Sequence, residues 1–238
     1  MYQHMSSKQL KKSARARLSA NQGICVGATA SYLGIIAAVY VMTALTTGVS
    51  SAATVIIQSL CGLLISVLSG ILSAGYQYMF LKLYCGRKIQ VSDLFYGFQY
   101  KSGIFFVISL ILALLSTFIN LPSDYFTNAY MLEMSYMDLT YLGIFSTIAL
   151  CLTTYIKLAY SQAYYLALDY PEESALSLMR MSRHFMKGHK GRLFYIYASF
   201  IPLLLLCILS LGIGFLWVLP YMQAVLTEFY LDIATHKS

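Results

Sequence analysis

Long apolar runs separated by short basic clusters constrain this chain more than any other feature. A helix that spans a bilayer needs about 20 mainly apolar residues. Four runs of that kind and a fifth of about twice the length lie at 24–46, 55–81, 103–121, 141–166 and 192–231. Only 11% of the residues are charged, too few to solvate a globular surface. We therefore predict an all-α, polytopic membrane helical bundle, with residues 1–238 as a single integral membrane domain.

The longest run contains Gly212-Ile213-Gly214 near its middle. A tight turn at these glycines would divide the run into helices at 193–211 and 214–231, which predicts six transmembrane helices arranged as three hairpins. The alternative is five spans, with 192–231 as one bent or re-entrant element.

Basic residues set the expected orientation. Every Lys and Arg except Lys157 lies in the N-terminal segment, in the links after the second and fourth spans, or at the C-terminus. The links 47–54, 122–140 and 212–214 carry none. Because basic links stay on the cytoplasmic side, both termini are expected there. The net charge of +7 suits anionic lipid head groups, and no basic soluble face indicates nucleic acid as a partner.

Short amphipathic segments precede the first, third and fifth spans, at about 6–19, 92–100 and 171–187. Ser6 and Gln9 match a capping box at the start of the first segment, and the third is expected to start at Pro171. We predict that all three are cytoplasmic interfacial helices. The basic face of the third, a candidate lipid-facing or partner-facing surface, consists of Arg180, Arg183 and Lys187.

Few polar residues lie inside the spans, and these are the candidates for an intramembrane site. Lys157 is expected about 12 Å from the cytoplasmic end of the fourth span. Each returning span also has Tyr followed by Gln near that end, which adds Gln77, Gln162 and Gln223. The glutamines are expected either to converge on a cytoplasmic-side polar vestibule or to make interhelical hydrogen bonds. For Lys157, the alternative is a side chain that snorkels to the interface.

Motifs for catalysis or cofactor binding are missing from the sequence. There is no Walker loop, no GxSxG, no HExxH and no CxxC, and the five cysteines are scattered singly. We therefore expect no enzyme, no cofactor and no metal site.

Several motifs, densest over 169–232, carry a resemblance to a known family: Leu10-Lys11-Lys12, Asp169-Tyr170-Pro171, Met186-Lys187-Gly188-His189-Lys190, Gly212-Ile213-Gly214 and Pro220-Tyr221. In these segments the chain resembles the bacterial integral membrane family catalogued as domain of unknown function 975. The resemblance implies a multi-pass fold in a bacterial plasma membrane. It implies no activity and therefore no catalytic residues.

Two classes of function follow from these patterns. The first is a transport-related or envelope- and lipid-handling membrane component that works through the Lys157 and glutamine interior. The alternative is a membrane-embedded interaction or sensor subunit that binds lipid head groups or other membrane proteins through its basic interfacial helices. A water-accessible cavity at Lys157 would favour the first, and a tightly packed interior with an exposed apolar groove would favour the second.

Overall fold

The computed structural model describes residues 5–44, 52–100 and 102–235, and every regular element within those ranges is helical. Part of the predicted 47–54 link lies outside these ranges. In chain order the elements are α1 Ser7–Ser19, α2 Gln22–Ala44, α3 Ala52–Tyr84, a 3-10 helix Val91–Phe95, α4 Tyr96–Gln99, α5 Ser102–Glu133, α6 Tyr136–Tyr160, α7 Ala163–Asp169, α8 Ala175–Phe185, α9 Lys190–Ala198, α10 Ile201–Leu209 and α11 Phe215–Thr235. The all-α prediction is confirmed.

Within the described part of the chain, five segments are long and apolar enough to cross a membrane: Gln22–Val41, Leu60–Tyr84, Ser102–Thr127, Tyr136–Asp169 and Lys190–Leu209. They coincide with the first four predicted runs and the first half of the fifth. The predicted sixth span, α11, is a continuous helix of 21 residues outside this group. Helix α11 carries Gln223, Glu228 and Asp232 among its apolar residues, and the count of six stays a prediction.

The predicted break at Gly212–Gly214 is present. Helix α10 ends at Leu209 and α11 begins at Phe215. Gly212 has a φ of +86°, a conformation that glycine adopts without steric cost, and its N–H donates to the carbonyl oxygen of Cys207 at 2.9 Å. A Cβ on Gly214 would lie 2.9 Å from Cys207 Sγ, so this glycine lets the chain turn closely against α10.

The predicted 122–140 loop is wrong, because both flanking helices continue through most of it. Helix α5 runs through Pro122 to Glu133, and α6 begins at Tyr136 with Ser135 as its N-cap. A proline inside a membrane-type helix removes one backbone hydrogen bond, which neighbouring contacts offset. Here the extended ends pack through Phe126, whose ring lies 5.2 Å from that of Phe145 and 5.3 Å from that of Tyr141.

A helix, α1, forms where the first interfacial helix is predicted. Ser6 N–H donates to Gln9 Oε1 at 2.8 Å and Gln9 N–H donates to Ser6 Oγ at 3.4 Å, which completes the capping box of α1. Leu10 and Ala14 are fully buried. Ser13 Oγ donates to Glu228 Oε1 on α11 at 2.7 Å. Helix α1 is therefore docked on α11 along its apolar stripe.

The second segment, predicted as an interfacial helix at 92–100, is a 3-10 helix followed by one turn of α4. The segment is helical as predicted, and it packs backbone to backbone against the interior of α3. Leu94 is fully buried there, whereas Phe95 and Phe98 stay exposed. Gly75 on α3 and Gly97 permit the approach, since a Cβ on either would meet a backbone oxygen of the other segment.

The helix predicted at 171–187 begins four residues later than predicted. Residues 171–174 form a turn, and α8 begins at Ala175 with Ser174 as its N-cap, whose Oγ accepts from Ser177 N–H at 3.3 Å. The start at Pro171 is wrong because Ser174 supplies a side-chain acceptor that proline cannot. Helix α8 buries Leu178 and Met179. Its polar face exposes Arg180 and Arg183, and Lys187 is exposed in the turn that follows the helix.

Helix α11 holds the core together. One apolar cluster joins α1, α2, α3 and α9 to α11 through Ala224 and Phe229, and a second joins α3, α5, α7 and α8 to Tyr230. The half of α11 from Ala224 to Ile233 is mostly buried. Its polar residues therefore face protein, which positions Gln223 at the interior site.

Candidate functional site

A cavity of about 780 Å³ brings all four predicted intramembrane residues to one place. Gln77 comes from α3, Lys157 from α6, Gln162 from the turn between α6 and α7, and Gln223 from α11. Residues from α5 and further tyrosines complete the lining. Gln77 and Gln223 are far in the sequence from Lys157 and Gln162, and the helix packing makes all four neighbours of a single polar space.

Gln162 owes its position to a break in the predicted fourth span. Helix α6 ends at Tyr160, and Ser161 Oγ donates to the carbonyl oxygen of Leu158 at 3.0 Å, while α7 starts at Ala163. The Gln162 side chain is only 2% exposed. Its Nε2 donates to Ser161 Oγ at 2.9 Å.

Two amide carbonyl oxygens at the cavity lack a hydrogen-bond donor. Gln162 Oε1 and Gln77 Oε1 are both buried, and neither has a partner within residues 5–44, 52–100 and 102–235. A buried amide oxygen without a partner is costly, because it has lost its hydrogen bonds to water. Both oxygens are enclosed by protein, and a rotation of the amide group would present either of them to a molecule inside the cavity.

Gln223, in contrast, is held by protein. Its Nε2 donates to Tyr165 Oη at 2.7 Å, and that hydroxyl shares a second hydrogen bond of 2.9 Å with Thr227 Oγ1. The Tyr165 ring stacks on Tyr230 at 4.7 Å. This group links α7 to α11, so Gln223 makes an interhelical hydrogen bond at the cavity wall.

Lys157 is the only charged residue among the described residues that line the cavity. It lies in the last turn of α6 with an exposed side chain. No hydrogen bond or ion pair joins it to any part of the chain that the structure describes. Its ammonium group is therefore available to a molecule in the cavity.

A second cavity of about 580 Å³ adjoins the first at Lys157. Apolar side chains of α2 and α3, such as Ile35, Ile36 and Leu72, make up most of its wall, and Phe95 and Phe98 close one part of it. The residues shared by both cavities are Tyr40, Ser66, Ser69, Lys157 and Tyr164. Lys157 thus lies between a polar space and an apolar one.

Sequence reasoning missed the contribution of α5 to the polar wall. Ser109, Ser116 and Asn120 all line the cavity, and Ser109 Oγ lies 2.9 Å from Tyr164 Oη. Their offsets of seven and eleven residues place them on one face of a helix. That periodic polar stripe within the apolar run at 103–121 was the signal that could have found them.

A buried acidic pair on α11, Glu228 and Asp232, was not among the predicted site residues. Asp232 Oδ2 lies 2.6 Å from Arg192 Nη1 of α9, and Asp232 Oδ1 accepts from Met5 N–H at 3.1 Å. Glu228 accepts from Ser13. These contacts attach the N-terminus and α9 to the end of α11, away from the residues that line the Lys157 cavity.

The predicted basic surface on α8 is separate from the cavity. Arg180, Arg183 and Lys187 are exposed and none of them lines the space around Lys157. The opposite side of α8 packs on α6, where Ser182 Oγ donates to the carbonyl oxygen of Ala159 at 3.1 Å. The chain therefore has an interior polar site and an outer basic surface.

The fold and the cavity define an all-helical protein with several helices of membrane-spanning length and a polar interior. The chain belongs to the family described as "Protein of unknown function (DUF975)", whose profile matches residues 1–237. The resemblance seen in the sequence is thereby confirmed. No curated protein and no solved structure matches the chain.

Proposed function

We propose that this chain is a six-span protein of the bacterial plasma membrane, with three hairpins and with both termini in the cytoplasm. The basic residues of the links support this orientation. Helix α11 has 21 residues, which at 1.5 Å per residue gives about 30 Å, the thickness of a bilayer core. Its polar side chains Glu228 and Asp232 are buried by protein, which removes most of their cost in lipid.

A reporter fused after Gly212 tests this topology. We expect an extracytoplasmic signal there, and cytoplasmic signals from fusions after Gly188 and after Thr235, because only a returning sixth span brings the C-terminus back. The side of the membrane on which each fusion site lies is measured by alkaline phosphatase activity, compared with the fluorescence of a cytoplasm-dependent reporter at the same site. A cytoplasmic signal after Gly212 would contradict the sixth span and the third hairpin.

We further propose that the protein is a transport-related or envelope- and lipid-handling component that acts through the Lys157 cavity. The observation that carries this proposal is the 780 Å³ space in which a cation and two amide oxygens have no partner in the described chain. Polar groups without a partner among apolar helices raise the free energy of the folded protein, and they are typical of binding sites and transport pathways. A bound or passing polar molecule would offset that cost.

The alternative is a membrane-embedded interaction or sensor subunit. The alternative is favoured by three exposed basic side chains, Arg180 and Arg183 on α8 and Lys187 in the turn after it, because such side chains beside a membrane attract anionic head groups or an acidic partner. This surface and the Lys157 cavity share no residues, so variants can separate the two functions.

Purification in mild detergent, with identification of the retained molecules, decides between them. If the cavity is the working site, the wild-type protein retains a lipid or a small solute that Lys157→Leu loses. In that case a triple replacement of Arg180, Arg183 and Lys187 by Gln leaves retention unchanged. A retained protein partner that only the triple variant loses would support the alternative and overturn the cavity proposal.

A further inference from the structure

We propose that the two adjoining cavities together bind one anionic phospholipid whose head group carries hydroxyl groups, as phosphatidylglycerol does. The phosphate would lie at Lys157, the head-group hydroxyls at Gln77 and Gln162, and an acyl chain between α2 and α3. This inference rests on the proposed role of the Lys157 cavity and names the class of molecule that the cavity takes.

The charge of the site selects an anion. Lys157 is the only residue with a formal charge at neutral pH among the described residues that line either cavity. No carboxylate is present in those linings. An ammonium group among apolar helices is stabilised by an opposite charge, which Lys157 does not receive from the described protein. A single phosphate diester supplies one negative charge.

The amide oxygens select a head group that donates hydrogen bonds. Gln77 Oε1 and Gln162 Oε1 are buried acceptors without a donor in the described chain. Amide carbonyl oxygens only accept. The hydroxyls of a phosphoglycerol head group can donate to them, whereas a choline head group has no N–H or O–H. The wall therefore discriminates between two phospholipids with the same acyl chains.

The apolar cavity selects a lipid over a water-soluble phosphate. The cavity has a volume of about 580 Å³, and Ile35, Ile36 and Leu72 line it. Tyr40 and Leu68, which are 64% and 49% exposed, also line it. These exposed side chains mark a side of the cavity that would open towards the bilayer. A soluble glycerol phosphate would occupy only the polar space and leave the apolar walls uncovered.

Photoaffinity labelling of the purified full-length protein in nonionic detergent tests the proposal. The probe is phosphatidylglycerol with a diazirine in one acyl chain, and the competitors are unlabelled phosphatidylglycerol, phosphatidylcholine of the same chain length, and glycerol phosphate. We expect label in peptides of α2 and α3. Phosphatidylglycerol should compete about tenfold better than phosphatidylcholine, which corresponds to one charge-assisted or two ordinary hydrogen bonds.

Variants sharpen the test. Lys157→Met should weaken phosphatidylglycerol binding about tenfold and Lys157→Arg should retain it, since the arginine keeps the charge. Arg180→Met removes the same charge from the exposed surface of α8 and should change nothing. Gln77→Met should reduce the preference for phosphatidylglycerol over phosphatidylcholine without removing binding. Each variant is first checked for the wild-type elution volume and melting temperature.

Equal competition by the two phospholipids would overturn the head-group assignment, and so would unchanged binding by Lys157→Met. Glycerol phosphate that competes as well as the lipid would overturn the lipid and leave the Lys157 cavity as a site for a soluble solute, so the proposed function would stand. If nothing tested binds in a Lys157-dependent way and purification finds no retained molecule, both proposals fail.

Discussion

Replacing Gly75 with alanine is expected to destabilise the protein by about 3 kcal/mol, the upper end of overpacking costs. A Cβ at this position of α3 would lie 1.9 Å from the carbonyl oxygen of Leu94 and 2.6 Å from its carbonyl carbon. Because these are backbone atoms, no side-chain rotation can relieve the clash. The segment is also fixed in place, since Lys82 Nζ pairs with Asp93 Oδ1 at 2.8 Å.

The measurement is the melting temperature of the purified variant in detergent, together with the fraction that elutes as wild type. Gly62→Ala in the same helix is the matched control, since a Cβ there meets nothing within 4 Å. It should be neutral or stabilise the helix by up to about 1 kcal/mol. A wild-type melting temperature for Gly75→Ala would contradict the close packing of the 3-10 helix on α3.

Replacing Arg192 with leucine is expected to cost about 3–5 kcal/mol, the usual penalty for breaking a buried ion pair from one side. The Asp232 side chain is only 3% exposed and Arg192 Nη1 lies 2.6 Å from its Oδ2. Without the guanidinium, α11 keeps a carboxylate that water reaches poorly. The melting temperature should fall, and the N-terminus should become more accessible to protease, because Met5 N–H also binds Asp232 at 3.1 Å.

A double-mutant cycle separates this ion pair from general damage to the fold. The double variant Arg192→Leu with Asp232→Asn should recover part of the loss, since it removes the buried charge as well as its partner. Arg180→Leu, on the exposed surface of α8, should change the stability by less than about 0.5 kcal/mol. Additive losses in the double variant would show that Arg192 and Asp232 act independently.

Local features of the fold were predictable from the sequence. The apolar runs correspond to the membrane-length segments, because span length is set by the bilayer and not by tertiary contacts. The capping box of Ser6 and Gln9 and the break at Gly212–Gly214 also depend only on nearby residues. The predicted start of α8 at Pro171 is wrong by four residues, because Ser174 is the better N-cap.

Features that depend on distant contacts were not predictable. The 92–100 segment is a 3-10 helix and one turn of α-helix, and Gly75 and Gly97 allow its backbone to touch that of α3, which hydropathy does not reveal. The burial of Glu228 depends on Ser13, 215 residues away. At the site, the repeated Tyr and Gln pattern indicated Gln77, Gln162 and Gln223. Lys157 was indicated because it is the one basic residue inside a predicted span. The contacts of Tyr165 with Gln223 and Thr227 emerged only from the packing of α7 on α11.

The central claim is that a water-accessible polar cavity surrounds Lys157 inside a membrane-embedded bundle, and thiol labelling tests it most directly. The two test variants are made in a protein whose five cysteines are replaced by alanine. Ser116→Cys lies on the cavity wall. Phe118→Cys, two residues further along α5, lies on the apolar outer surface, where the native side chain is 78% exposed. A charged, membrane-impermeant methanethiosulfonate added to inside-out vesicles should modify Ser116→Cys and leave Phe118→Cys unmodified, while both react in dodecyl sulfate. Modification of Phe118→Cys with protection of Ser116→Cys would contradict the cavity and the membrane arrangement together.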